Sequence, residues 1–311
     1  MTEFSLMIHG GAGVIRAPEN YDASLRHIIE TGAALLDQGA SALDAVTHCV
    51  ALLEDDPLYN AGRGSVLNAQ GIVDCDASIM DGRTLDAGAI AGVRGVKNPV
   101  LLARAVLEKS EHVFLIGEGA EIFAREHKIS FEEADYFLTE HRVAQLARVK
   151  EKQSVALDHS QANDLKLGTV GAVARDRDGN LAAATSTGGL VNKQFGRVGD
   201  SAVIGAGTYA DNASCAISCT GIGEHFLRTS LARTAAFFVE YQGMNAQEAA
   251  DAAIRHLTQK IQGVGGLILI DRNGECGQAH STPDMLSATA VKGEIWVGAG
   301  LTLSMWGAQA R

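Results

Sequence analysis

No run of this 311-residue chain approaches the 18 or more apolar residues that a transmembrane helix needs, so the sequence offers no spanning helix. The opening Met1-Thr2-Glu3-Phe4-Ser5 has no positive n-region and leads into too short an apolar stretch for a secretory signal. The expectation is a soluble cytoplasmic protein without a membrane partner. Basic charge is also short: 26 Lys and Arg stand against 37 Asp and Glu, a net charge of −11, and no basic stripe with interleaved aromatics occurs, which argues against a nucleic-acid partner. The ten His are dispersed with no H-x-H or H-E-x-x-H, so the clustered ligands of a zinc amidohydrolase are missing. No G-x-S-x-G elbow accompanies His9-Gly10-Gly11-Ala12-Gly13, which excludes an α/β-hydrolase. Gly117-Glu118-Gly119 and Gly205-Ala206-Gly207 each lack the third glycine of a dinucleotide fingerprint. The five cysteines are sparse, and Cys215 and Cys219 read as buried free thiols sharing one face of a strand.

What the chain has in plenty is glycine, 35 residues against 4 prolines, used for tight turns and close backbone approaches. Phe4 to Ile8 reads as a strand running into a glycine turn, and two helices follow, with Leu25, Ile28, Ile29, Leu35 and Leu36 on one and Leu43, Val46, Cys49, Val50 and Leu53 on the next. Asn98-Pro99 reads as an N-cap and first helical position, His112 to Ile116 as a strand, and Phe131 to about Lys152 as a charged helix. Gln153 to Gly168 is polar and aperiodic and reads as an exposed loop. Two strand-like runs, Thr169 to Ala174 and Leu181 to Thr187, flank the turn Asp176-Arg177-Asp178-Gly179-Asn180, a hairpin signal. Ala202 to Ala206 and Ala213 to Ser218 read as further strands. Helices are expected from about Glu224 to Tyr241 and from Ala246 to Gln259, the latter with Asn245 and Glu248 as a capping pair. Strands near Gly266 to Ile270 and Ile295 to Val297 close the chain. Strands and helices mirrored in two halves predict a four-layer α/β sandwich.

The chemistry centres on Gly168-Thr169. An internal threonine needs a base; cleavage of the bond before it would give Thr169 an α-amine with a reference pKa near 8, so one residue would supply nucleophile and base. Gly168, lacking a Cβ, tolerates a strained conformation that would press Thr169 Oγ onto the preceding carbonyl. The hairpin brings Thr187 toward Thr169. Arg197 and Asp200, three apart in Gly196-Arg197-Val198-Gly199-Asp200-Ser201, suit a zwitterion clamp or an exposed salt bridge. Cys219-Thr220-Gly221-Ile222-Gly223-Glu224 runs from a strand into a helix, either as an oxyanion receptor or as a structural turn.

Together these segments resemble the plant-type L-asparaginases, also called isoaspartyl or β-aspartyl peptidases, of the N-terminal-nucleophile hydrolases. The signatures are HGGAG at 9–13, PLYNAGRGSVL at 57–67, DASIMDG at 76–82, GEGAE at 117–121, GTVGAVA at 168–174, STGG at 186–189, GRVGDS at 196–201 and CTGIGE at 219–224, in family order across nearly the whole chain. The resemblance implies a single αββα domain over 1–311, self-cleaved into an α subunit 1–168 and a β subunit 169–311 around a flexible linker at about 154–168, and paired as (αβ)2. It implies Thr169 as nucleophile and Thr187 as its hydrogen-bonding neighbour. Arg197 would hold a substrate α-carboxylate and Asp200 its α-amine, Thr220 and Gly221 would form the oxyanion hole, and Gly223 would line the site. Asn60 and Gly11 would support the site. It implies no cofactor for the chemistry, but a structural sodium on backbone carbonyls of Leu53, Glu54, Asp56, Tyr59, Ala61 and Arg63. The implied activity is hydrolysis of β-aspartyl dipeptides and L-asparagine to L-aspartate. Glycosylasparaginase-like amidase activity, and an uncleaved homologue serving as a binding protein, are the alternatives. Two departures stand out: Phe195 precedes GRVGDS where many relatives have Pro, and Ala279-His280-Ser281-Thr282-Pro283-Asp284-Met285 replaces a stretch nearer FNTEGM, keeping Thr282 and Met285.

Overall fold

The consecutive apolar residues Leu6, Met7 and Ile8 send successive side chains to opposite faces of a central strand, and the rest of the architecture follows from covering both faces. The computed structural model describes residues 3–15, 17–151 and 166–299. In chain order the first part comprises β1 (Ser5–Gly13), α1 (Glu19–Asp37), α2 (Ala42–Asp55), β2 (Cys75–Asp81), β3 (Ala87–Val93), α3 (Pro99–Lys109), β4 (Phe114–Ile116), α4 (Gly117–Glu126), α5 (Ala134–Phe137) and α6 (Glu140–Glu151). The second comprises β5 (Lys166–Leu167), β6 (Val170–Arg175), β7 (Leu181–Thr187), β8 (Thr208–Ala210), β9 (Cys215–Gly221), α7 (Gly223–Thr229), α8 (Leu231–Gln242), α9 (Ala246–Ile261), β10 (Gly265–Asp271), β11 (Cys276–His280), β12 (Asp284–Val291) and β13 (Glu294–Ala299).

The larger sheet runs β13-β12-β1-β6-β7-β2-β3-β4, with β5 paired to β1 beside it; the smaller runs β11-β10-β9-β8. Leu6, Ile8, Ile79 and Ile90 leave one face of the large sheet to meet Leu25, Ile29, Val46 and Leu53 of α1 and α2. Met7, Met80, Val173 and Ala183 leave the other face and meet Ala210, Ala216, Ile268 and Ile270 of the small sheet. The outer face of the small sheet packs Cys215, Ile217, Cys219 and Leu269 on Leu231, Ala235, Ala250 and Leu257 of α8 and α9. The result is a four-layer αββα sandwich, with Cys215 and Cys219 on one face of β9.

The Asn245 capping box forms, with Glu248 N–H bonded to Asn245 and Asn245 N–H to Glu248. Other expectations change. Asn98 does not cap α3; its amide reaches Ala51 and Asp55 of α2 instead, while Pro99 does open the helix. Ala202–Ala206 is a series of turns with a single bridge from Ile204 to Thr208, not a strand. The helix expected from 224 to 241 breaks at Ser230, which is left-handed at φ 45°, and the one expected from 131 to 152 is α5 and α6. Strands β2 and β3 were not anticipated as strands at all. Most of the 154–168 linker lies outside the described residues, but its end is ordered structure: Lys166 and Leu167 pair with Gly13 and Ala12 of β1.

Candidate active site

The β6–β7 hairpin pairs Val170 with Ser186, which leaves Thr169 and Thr187 facing each other at its open end. Thr169 Oγ1 donates to Thr187 Oγ1 at 3.0 Å, and the Gly189 N–H donates to Thr187 Oγ1 at 2.9 Å. Both side chains are buried. β5, Gly168 and β6 run as one line antiparallel to β1, and on the other edge of β1, against β12, the register slips by one residue between His9 and Gly11. That bulge, with Gly11 at φ 113°, lies opposite the Gly168–Thr169 step, a place where strands bend and re-aim side chains.

Gly168 is not strained in the way its sequence suggests, because its φ lies outside the left-handed region. Glycine is required there by space: a Cβ would stand 2.6 Å from Asn60 Cβ. The Asn60 N–H donates to the Gly168 carbonyl at 3.3 Å, its Nδ2 donates to the Gly189 carbonyl at 2.7 Å, and its Oδ1 accepts from Val66 N–H. Asn60 therefore ties the carbonyl before Thr169 to the loop after Thr187.

Across the cleft, Arg197 and Asp200 are neither an exposed salt bridge nor paired with each other. Arg197 Nε and Nη2 each donate at 2.8 Å to the carboxylate of Glu224, a bidentate fork. Nη1 is left beside Gly189 and Gly199, where either glycine's Cβ would crowd it. Asp200 is buried, and its Oδ2 has no hydrogen-bond partner among the described residues. Burial pushes its carboxyl up to about 7 against the pull of Arg197, so near neutrality it is half protonated. Gly223 is glycine because a Cβ there would sit within 2.9 Å of Arg197, Asp200 N and Asp200 Oδ1. The loop is braced from behind by buried Asp76, whose carboxylate accepts from Gly92 N–H at 2.9 Å and Gly199 N–H at 3.5 Å.

Gly168, Thr169, Thr187, Arg197, Asp200, Gly221 and Gly223 all line this one cleft, whose open space is only about 10 Å³. That is room for a single water, so the intact chain leaves no space for an amino-acid ligand. Thr220 does not line it; its hydroxyl is fully buried at the end of β9 and lacks a partner. A larger cavity, about 400 Å³, opens elsewhere, between Phe4, α1 and the β12–β13 turn.

The loop from Leu53 to Arg63 folds back so that a Cβ on Gly62 would lie 2.5 Å from the Glu54 carbonyl oxygen, and one on Gly64 would overlap that of Tyr59. Arg142 of α6 donates to the Gly64 carbonyl at 2.7 Å and pins the turn. Within it the Asp56 and Ala61 carbonyls accept from Tyr59 N–H and Gly64 N–H, and oxygens of this kind are the hard donors a hard cation takes. Phe195 is exposed, and Met285 is buried between the sheets, with Thr282 bonded to the Asp284 carbonyl. Sequence reasoning missed Glu224, Asp76 and His9 as site residues. Each sat inside a motif it had singled out, but nothing local reveals their partners.

The asparaginase family model matches residues 2–298. An isoaspartyl peptidase of Salmonella typhimurium is 46% identical over 304 residues, covering 94% of this chain and 97% of its own length. An isoaspartyl peptidase of Escherichia coli is 47% identical with 93% of both chains covered, and an isoaspartyl peptidase/L-asparaginase of Rattus norvegicus is 45% identical, covering 95% and 89%.

Proposed function

This chain belongs to the asparaginase family, and we propose that it hydrolyses β-aspartyl dipeptides and L-asparagine, releasing L-aspartate. The observation that carries the reading is the Thr169–Thr187 hydroxyl pair facing Arg197 and unpaired Asp200 across one cleft.

Activation comes first. Thr169 Oγ adds to the Gly168 carbonyl, which Asn60 N–H polarises; the Gly168–Thr169 C–N bond breaks, the hydroxyl proton passes to the released α-amine, and water cleaves the resulting ester, splitting 1–168 from 169–311. Removal of the chain before Thr169 opens the cleft and leaves a free α-amine. In turnover, Arg197 takes the substrate α-carboxylate on its free Nη1 side, Asp200 takes the α-ammonium, and Gly223 lets the ligand approach the backbone. The Thr169 amine accepts the proton of its own hydroxyl as Oγ attacks the β-carbonyl. Thr187 holds Oγ in line; Gly221, which lines the cleft, receives the oxyanion, and the unpartnered Thr220 hydroxyl behind it joins once removal of the preceding chain opens the cleft, a donor of that kind contributing about 3 kcal/mol. The amine or ammonia leaves with the proton; water then cleaves the β-aspartyl ester, returning Thr169 and aspartate. A monovalent cation held by carbonyls of Leu53, Glu54, Asp56, Tyr59, Ala61 and Arg63 would stiffen the segment that carries Asn60. Two such α/β units assemble as (αβ)2.

The test is an intact-mass spectrum of wild type beside Thr169→Ala, with aspartate release from a β-aspartyl dipeptide. Two fragments meeting at Gly168/Thr169 in the wild type, and a whole, inactive variant, are expected. A wild type that stays whole on long incubation has no amine at Thr169 and overturns the mechanism.

A further inference from the structure

Behind Thr169 the space between the sheets changes character. Most of that layer is apolar. Directly inward from the hydroxyl pair, five polar side chains from five strands stand fully buried: His9 on β1, Ser218 on β9, Thr185 on β7, Thr208 on β8 and Ser78 on β2. They form an unbroken column. His9 Nε2 lies 2.8 Å from Ser218 Oγ, Ser218 Oγ 2.7 Å from Thr185 Oγ1, and Thr185 Oγ1 2.6 Å from Thr208 Oγ1. Thr208 Oγ1 lies 2.8 Å from Ser78 Oγ, which reaches the Ser201 carbonyl oxygen at 2.6 Å. Gly171 makes room for it: a Cβ there would overlap Ser218 Oγ and stand 2.6 Å from His9 Nε2.

Thr208 Oγ1 donates to Thr185 Oγ1, Ser78 Oγ bridges Thr208 Oγ1 and the Ser201 carbonyl oxygen, and Thr185 Oγ1 also reaches the Gly207 carbonyl oxygen at 3.4 Å, so every hydroxyl of the column is tied on two sides. Burial drives the His9 imidazole down to about 3, so it is neutral.

The two ends are the two halves of the site. The His9 imidazole lies against the Thr169 backbone, and Ser201 directly follows Asp200. We propose that the column is a spacer fixing the separation between Thr169 and the Asp200 loop, so that an aspartyl side chain spans it and a glutamyl one, a methylene longer, does not. The inference rests on the hydrolase reading above. His9, Ser218, Thr185, Thr208 and Ser78 are positioning residues, acting through Thr169 and Asp200. A misplacement of about 1 Å at a reacting centre costs on the order of 10²-fold in rate, so a spacer without slack discriminates by length.

The test is a ratio. Thr185→Val keeps the shape and removes the central hydroxyl; Thr185→Ser keeps the hydroxyl. kcat/KM is measured for L-asparagine against L-glutamine, and for a β-aspartyl against a γ-glutamyl dipeptide. Thr185→Val is expected to lower the aspartyl-over-glutamyl ratio about tenfold, with Thr185→Ser near the wild-type ratio. Equal loss on both substrates would make the column a structural brace and overturn the proposal. Ser78→Ala, at the far end, carries the same expectation and decides the matter if Thr185→Val does not fold. A processed wild type that releases no aspartate from either aspartyl substrate overturns the hydrolase reading itself, whereas an active wild type with an unmoved ratio overturns only the spacer.

Discussion

The two walls of the cleft are built on opposite terms. On the Thr169 side the two central hydroxyls are neutral and matched: hydroxyl on hydroxyl, with a backbone N–H behind. On the Arg197 side the groups are ionisable and incompletely matched. Arg197 is held by Glu224 rather than by its neighbour, and Asp200 is sealed in with one oxygen unpartnered. A satisfied wall stabilises the fold, while an unsatisfied buried carboxylate works against it. Mutating the two walls therefore separates activity from stability. The largest effect is expected from Asp200→Asn. Loss of a buried charge partner for the substrate ammonium lowers kcat/KM about 10³-fold, yet the variant melts above wild type at pH 8. Thr187→Val is the reverse case: activity falls about 10²-fold, and the Gly189 N–H loses its acceptor, so the melting temperature falls too. Steady-state kinetics with differential scanning calorimetry on both variants would show opposite signs in Tm; a drop in both would erase the contrast.

That contrast was half legible in the sequence. Thr169 and Thr187 could be read because a short hairpin between two strand-like runs fixes which residues meet at its mouth, and Arg197 and Asp200 because a glycine-bounded loop isolates them. Their pairings could not be read. Arg197 bonds Glu224, 27 positions on, and His9 bonds Ser218, 209 positions on, contacts made by tertiary packing, a loop against α7 in the first and sheet against sheet in the second. The same holds for the fold. The second half of the chain showed its strands through apolar runs and the turns between them. Cys75-Asp76-Ala77-Ser78-Ile79-Met80-Asp81 and Ala87-Gly88-Ala89-Ile90-Ala91-Gly92-Val93 did not, because strands buried on both faces need no alternation, and small residues carry little strand preference. Ala202–Ala206 looked apolar enough for a strand, but its backbone is spent on turns around Asp200.

A pH titration sharpens the comparison further. The Asp200 carboxyl is raised to about 7 in the fold by burial, with an unfolded value of about 3.9. Its contribution to stability is therefore whole below about pH 4 and is lost as pH rises through about 7. Ligand binding runs the other way, since an α-ammonium requires the carboxylate. The inhibition constant of L-aspartate should fall about tenfold per pH unit up to about 7 and then level off, a limb that Asp200→Asn removes. A flat profile in the wild type would mean that Asp200 is already ionised, and that its wall is no less satisfied than the other.

The smallest effect is expected at Glu224. Its carboxylate holds Arg197 by Nε and Nη2 and leaves Nη1 toward the cleft, so it orients the guanidinium without occupying the side that faces a ligand. Its side chain is partly exposed, and pairs of that kind contribute about 1 kcal/mol or less. Glu224→Gln keeps one acceptor oxygen but loses the two-point grip, so KM for L-asparagine should rise about threefold to fivefold with kcat unchanged. A fall in KM would mean that Glu224 competes with the substrate carboxylate for Arg197. The recognition wall would then be closed in the free enzyme rather than held open, and the incomplete matching of Arg197 and Asp200 would describe a latch, not a receptor.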